Sequence, residues 1–226
     1  MTTWIAKRGN LKDRTMKKIM FNERFGLQQA VLSGTKTMTR RICTMALSRK
    51  LENGATETIE PDDMFIASDG TAHFQIGRNS YRLQPAYKVG EEIAIAQKYW
   101  DLRNCDAFYE ALQKADPTFP LECIRDEAGC HNKMFVRADW MPHRIRIKSI
   151  KAERLQSISD EDCLREGVIK WTNCYIVTGI MEERGKNNVC FDTPREAFAA
   201  LIDRISGKGT WRRYPLVFAY EFVLVR

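Results

Sequence analysis

Arg144-Ile145-Arg146-Ile147-Lys148-Ser149-Ile150 alternates basic and apolar residues, the pattern of a half-buried β-strand with a cationic outer face. Val217 to Val225 is apolar almost throughout, with Glu221 as the exception, and predicts a strand central to a sheet. Lys18 to Phe21 and Ile93 to Tyr99 predict two further strands. In Thr37 to Ile42 a period of two places Thr37, Thr39 and Arg41 on one face and Met38, Arg40 and Ile42 on the other.

Between these stretches the period changes to that of helices. Glu23 to Ser33 carries Leu27, Ala30 and Val31 on one face, and Gly34 stops it. Ala107 to Lys114 predicts a second helix, ending before Pro117. Ser159 precedes Asp160, Glu161 and Asp162, a cap followed by an acidic first turn suited to the helix dipole, and this helix ends at Gly167. Thr193-Pro194 opens a fourth, with the apolar stripe Phe198, Leu201, Ile202 and Ile205, closed by Gly207.

Residues from about 44 to 80 have little periodicity and carry Gly54, Pro61, Gly70 and Gly77, which predicts an insertion of loops and a short hairpin. Residues 1–17 are basic and aperiodic, the mark of a flexible leader. The expectation is one α+β domain over residues 18–226, with insertions at about 44–80 and 101–135.

Composition narrows the class. Of 226 residues, 44% are apolar and 29% charged, so the chain reads as globular and large enough to bury a core without covalent staples. The strongest apolar run, Tyr214 to Val225, falls short of the ~20 residues that cross a bilayer, so no membrane partner is expected. Seven cysteines without a CxxC pair, and no export signal among the first eighteen residues, predict reduced thiols in a cytoplasm. A net charge of +7 favours polyanionic partners.

Three stretches together resemble the ASCH family. They are Gly34-Thr35-Lys36-Thr37-Met38-Thr39-Arg40-Arg41, the passage from Arg154-Leu155-Gln156-Ser157-Ile158-Ser159 through Glu161 to Glu166-Gly167, and Gly207-Lys208-Gly209-Thr210-Trp211 followed by Pro215 and Val217 to Phe222. Tyr87-Lys88-Val89-Gly90-Glu91 lies between the first and second. The closing block is similar to that of long, phage-associated bacterial members. The resemblance implies a PUA-like mixed β-barrel with flanking helices, and a nucleotide or RNA as ligand. Compact bacterial members hydrolyse the amide of N4-acetylcytidine with a Lys, a Thr and a Glu, which match Lys36, Thr39 and Glu166 here.

The groups themselves set conditions on that chemistry. A threonine hydroxyl needs a base, and a lysine serves as one only when burial or neighbouring cations depress its pKa. Arg40 and Arg41 would push Lys36 that way, whereas a close Glu166 would oppose it. Either Glu166 sits nearer the substrate amine or it holds a proton. Because residues three apart on a strand face opposite ways, Lys36 must belong to the loop after Gly34 if it is to meet Thr39.

Arg40, Arg41, Arg144, Arg146 and Lys148 are candidates for a phosphate-binding surface, with Trp211 as a face on which a base stacks. Cys123, Cys130 and His131 lack the paired spacing of structural zinc sites, so no metal or cofactor is expected. Two functions stay open. One is an amidohydrolase acting on N4-acylated cytosine; the other is a non-catalytic RNA-binding or adaptor module using the same basic cleft. The expected partner of either is a nucleoside, nucleotide or single-stranded RNA, and the residues specify no protein partner.

Overall fold

A computed structural model describes residues 16–43, 47–50, 56–59, 63–67, 71–76, 78–182 and 187–225. The leader, apart from Met16 and Lys17, lies outside them. In chain order the described elements are β1 (Lys18–Ile19), α1 (Leu27–Leu32), β2 (Met38–Ile42), β3 (Leu47–Lys50), β4 (Thr56–Ile59), β5 (Asp63–Ile66), β6 (Ala72–Ile76), β7 (Asn79–Leu83) and β8 (Glu92–Ile95). There follow α2 (Asp106–Ala115), β9 (Arg144–Arg154), α3 (Asp160–Arg165), β10 (Ile169–Trp171), β11 (Cys174–Ile176), α4 (Pro194–Ser206) and β12 (Leu216–Val225). The class is mixed α+β.

The main sheet has the order β1-β8-β9-β12-β2, antiparallel except for the β1 to β8 pair. Its apolar strand β12 is paired on both sides. Phe218, Tyr220 and Phe222 alternate on one face and pair with Ala152, Ile150 and Ile147 of β9. A bulge opposite Glu221 and Phe222 leaves Lys148 as the extra residue, so the inward set on β9 runs Ile145, Ile147, then Ile150 and Ala152. Without it the pleat would turn half of the strand's apolar residues outward.

Caps define the helices. Thr193 accepts from the Glu196 amide while the Glu196 carboxylate accepts from the Thr193 amide, a reciprocal capping box at the start of α4. Ser159 accepts from the Asp162 amide at the start of α3. The first helix departs from expectation: residues 23–26 form turns, because Gly26 adopts φ +66°, and α1 starts at Leu27.

The 44–80 insertion holds more than one hairpin: β3 and β4 pair with each other, and β5, β6 and β7 form a three-stranded sheet. Strand β8 stops at Ile95, earlier than expected, because the chain after it turns into a second apolar cluster of Ala96, Tyr99, Leu102, Phe108, Leu112, Val136, Trp140 and Met141. Cys174 and Cys190 form a disulfide, which corrects the expectation that all seven thiols are reduced. Among the described residues no helix is long and apolar enough to cross a membrane.

The strands described do not close into a barrel, yet the two edges of the main sheet approach each other. The chain leaving β1 passes beside β2, where Arg41 Nη2 donates to the Met20 carbonyl at 2.8 Å. Phe21 packs against Phe222 at 5.8 Å between ring centroids. A cleft lies along this junction.

Candidate active site

Lys36 stands in the loop between α1 and β2. Gly34, at φ +79°, turns the chain out of the helix, and the Lys36 amide then donates to the Ala30 carbonyl at 2.9 Å, tying the loop to the helix it has just left. The Thr37 amide donates to the Arg165 carbonyl, and the Thr37 carbonyl accepts from the Phe222 amide. Those bonds dock the loop against α3 and β12, and the side chain of Lys36 is directed at the end of α3.

There Lys36 Nζ donates to Glu166 Oε2 at 2.7 Å and to the Glu166 carbonyl at 2.6 Å. Glu166 is the residue that ends α3, and Gly167 follows at φ +109°. Its backbone angle is one that L-residues rarely adopt, and a Cβ on Gly167 would stand 2.7 Å from Leu27 Cδ2, so the Leu27 side chain would have to shift. The other carboxylate oxygen, Oε1, accepts from Arg40 Nη1 at 3.2 Å. Arg40 also donates to Glu153 Oε1 at 2.8 Å and to Asp162 Oδ2 at 2.8 Å.

This buried network continues outward. Arg165 donates to Thr37 Oγ1 at 3.1 Å and to Glu221 Oε1 at 2.6 Å, and Glu221 Oε2 accepts from Ser149 at 2.9 Å. Lys36 is only 2% exposed and Glu166 4%. Burial pulls the Lys36 pKa below its ordinary value; the Glu166 carboxylate lifts it in part, and Arg41 and Arg40 lower it further. For Arg40, burial opposes the charge but the carboxylates of Glu166, Asp162 and Glu153 outweigh it, and its pKa is raised.

Lys36, Thr39, Arg40, Arg41 and Glu166 line one cleft of about 450 Å³. This is within the range of small-molecule sites, roughly 300–1,000 Å³. Phe198, Leu201, Ile202 and Ile205 of α4 form an apolar wall, and Met20 and Phe21 add further apolar lining beside the polar Asn22. The Phe21 ring centroid lies 6.0 Å from Lys36 Nζ and 5.9 Å from the Arg41 guanidinium carbon. Arg41 Nε is buried with no hydrogen-bond partner among the described residues. An apolar slot with a charged end is suited to a flat ligand carrying polar edge groups.

No protein-family model matches the chain, and no curated protein or solved structure matches it. The site therefore rests on its own geometry. Of the candidates read from sequence, Lys36, Thr39, Glu166, Arg40 and Arg41 converge. Arg40, expected at a phosphate-binding surface, is instead buried and paired with three carboxylates, a role its alternation with Met38 and Ile42 did not reveal.

Arg144, Arg146 and Lys148 lie elsewhere. They are on β9, which β12 separates from β2, and none of them lines the cleft. Arg146 is paired with Glu92 at 2.6 Å, and Arg144 lines a different depression beside Glu110 and Asp139. Trp211 is also outside the cleft. Its ring packs edge-on against Phe198 at 6.1 Å, its amide donates to Asp203 at 2.7 Å, and Arg195 lies 5.9 Å from its ring centroid. It fastens the loop before β12 to α4.

Sequence reasoning missed Lys133, which reaches the cleft from the 101–135 insertion, and it missed Asp162 and Glu153 as partners of Arg40. The acidic first turn of α3 had a sufficient explanation in the helix dipole. No local signal marked Asp162 as different from its neighbours.

Proposed function

We propose that this chain is an amide hydrolase acting on an N4-acylated cytosine, with Thr39 as nucleophile, Lys36 as base and Glu166 as proton carrier, on an ASCH-like, PUA-like scaffold. The observation that carries the reading is the convergence of those three residues, from a loop, a strand and a helix end, in one cleft. The scaffold is supported by the five-stranded sheet whose edges are bridged by Arg41 and Met20.

In this mechanism Lys36 first passes a proton across the 2.7 Å contact to Glu166, which leaves a neutral amine, the form burial favours. Thr39 Oγ1 adds to the acyl carbonyl carbon as its proton moves to Lys36, and the unpartnered Arg41 Nε donates to the oxyanion. The bond from the acyl carbon to N4 then breaks, with N4 taking the proton held by Glu166. Water hydrolyses the threonyl ester, releasing the acid and restoring the hydroxyl.

One observation favours the competing reading of a non-catalytic RNA-binding or adaptor module: both hydrogen bonds of Lys36 Nζ go to Glu166 and neither goes to Thr39. Incubation of the purified protein with N4-acetylcytidine separates the two. The enzyme reading expects release of cytidine and acetate by wild type and loss of it in Thr39→Val. Absence of release by wild type, together with binding of cytidine-containing RNA, would establish the module instead.

A further inference from the structure

We propose that the cleft continues into a phosphate-binding groove ending on the exposed Trp100 indole, so that the preferred ligand is a phosphate-bearing nucleotide or strand rather than a free nucleoside. This rests on the cleft being a pyrimidine site and extends it. Beside the cleft lies a second depression of about 330 Å³, lined by Asn22, Glu23, Arg24, Lys98, His131 and Lys133 among others. Asn22 and Lys133 line both, so the two hollows share a wall.

The charge in the second hollow is in excess on the positive side. Glu23 holds Lys98 at 2.6 Å and Lys133 at 3.0 Å through its two carboxylate oxygens, and Asp101 stands 3.8 Å from Lys98. Lys133 also donates to the Phe21 carbonyl, which fixes it where the hollows meet. Arg24 is exposed and makes no ion pair or hydrogen bond among the described residues; its guanidinium lies 5.7 Å from the Phe25 ring centroid. Three cations against two carboxylates, with Asn22, Asn132 and His131 alongside, suit an anion bearing several acceptor oxygens.

Beyond His131 the surface becomes aromatic. The His131 ring is 5.7 Å from the Trp100 ring, Trp100 is 43% exposed, and Arg103 lies over the indole at 4.8 Å. An exposed indole next to a cationic groove is the arrangement on which a flanking base stacks. His131 and Lys133 come from the 101–135 insertion, which thereby gains a purpose: it extends the site from a base pocket to a nucleotide track.

Titration with cytidine, cytidine 5′-monophosphate and a short oligocytidylate, read by tryptophan fluorescence at two salt concentrations, tests this. The monophosphate is expected to bind about tenfold more tightly than cytidine at low salt, with the ratio falling toward one at high salt and in Arg24→Glu. The oligocytidylate is expected to gain about a further tenfold, lost in Trp100→Leu. Equal binding of cytidine and its monophosphate, or a ratio unmoved by Arg24→Glu, overturns the groove. A monophosphate preference with no gain for the strand overturns the stacking end and identifies a free nucleotide as the phosphate source. Acetate release from N4-acetylcytidine without any phosphate preference sinks the groove and leaves the hydrolase standing; phosphate preference without acetate release does the reverse.

Discussion

Lys36 Nζ contacts both the side chain and the backbone carbonyl of Glu166, so a single residue at the end of α3 satisfies two of the three ammonium donors. The pair is buried, and Glu166 is shared with Arg40. Removing Glu166 strands the Lys36 ammonium away from water, whereas removing Lys36 leaves Glu166 still paired with Arg40. Glu166→Gln is expected to lower stability by about 3–5 kcal/mol in urea denaturation, and Lys36→Met by less. The double variant is expected to lose less than the sum of the singles, because the surviving charge of each single is then gone.

The lowered pKa of Lys36 sets a pH signature. Between its depressed value in the folded protein and its ordinary 10.5, the unfolded chain holds the extra proton. Stability therefore rises with pH across that window through this group, and its burial opposes folding most below the folded pKa. Denaturation midpoints measured from neutral to alkaline pH should show this rise in wild type and lose it in Lys36→Met. On the proposed mechanism deacetylation should fall over the same window, because the proton that Lys36 passes to Glu166, and Glu166 to N4, is then lost to solvent.

Gly167 is expected to tolerate no side chain. Gly167→Ala meets Leu27 Cδ2 and forces an L-residue into φ +109°, and it displaces the carbonyl of Glu166 that Lys36 binds. A loss of about 1–3 kcal/mol is expected, with a fall in deacetylation greater than the fraction unfolded accounts for. Paired measurement of the denaturation midpoint and kcat checks it.

The disulfide between Cys174 and Cys190 closes a loop with a sequence separation of 16. Cys174→Ser is expected to cost about 3 kcal/mol, seen as a lower Tm of the oxidised protein, with little change for protein already reduced.

How far the site was readable from the chain depends on how local its determinants are. The caps at Ser159 and Thr193 and the stop at Gly34 are written within a few residues of where they act, and they form as read. The position of Lys36 before β2 also agrees with the side-chain parity argument, once Lys36 is required to meet Thr39 as the resemblance implies. Arg40 was misread because its partners Glu153, Asp162 and Glu166 are 113 to 126 residues away, and an arginine in a short strand ordinarily faces water. The Lys148 bulge was hidden for a related reason: it exists only through the register with β12. Cys174 and Cys190 carry no spacing that announces a bond, and nothing within a few residues of either points to the other.

Among the described residues strand β2 has a partner on one side only, and the cleft that Arg41, the Met20 to Asn22 segment and α4 surround lies beside it. An uncovered strand edge is a template on which another polypeptide can polymerise. The walls that would hold a ligand are thus also a sheath, and substitutions that peel Phe21 or α4 from β2 should turn a monodisperse solution into fibres or precipitate before they unfold the core.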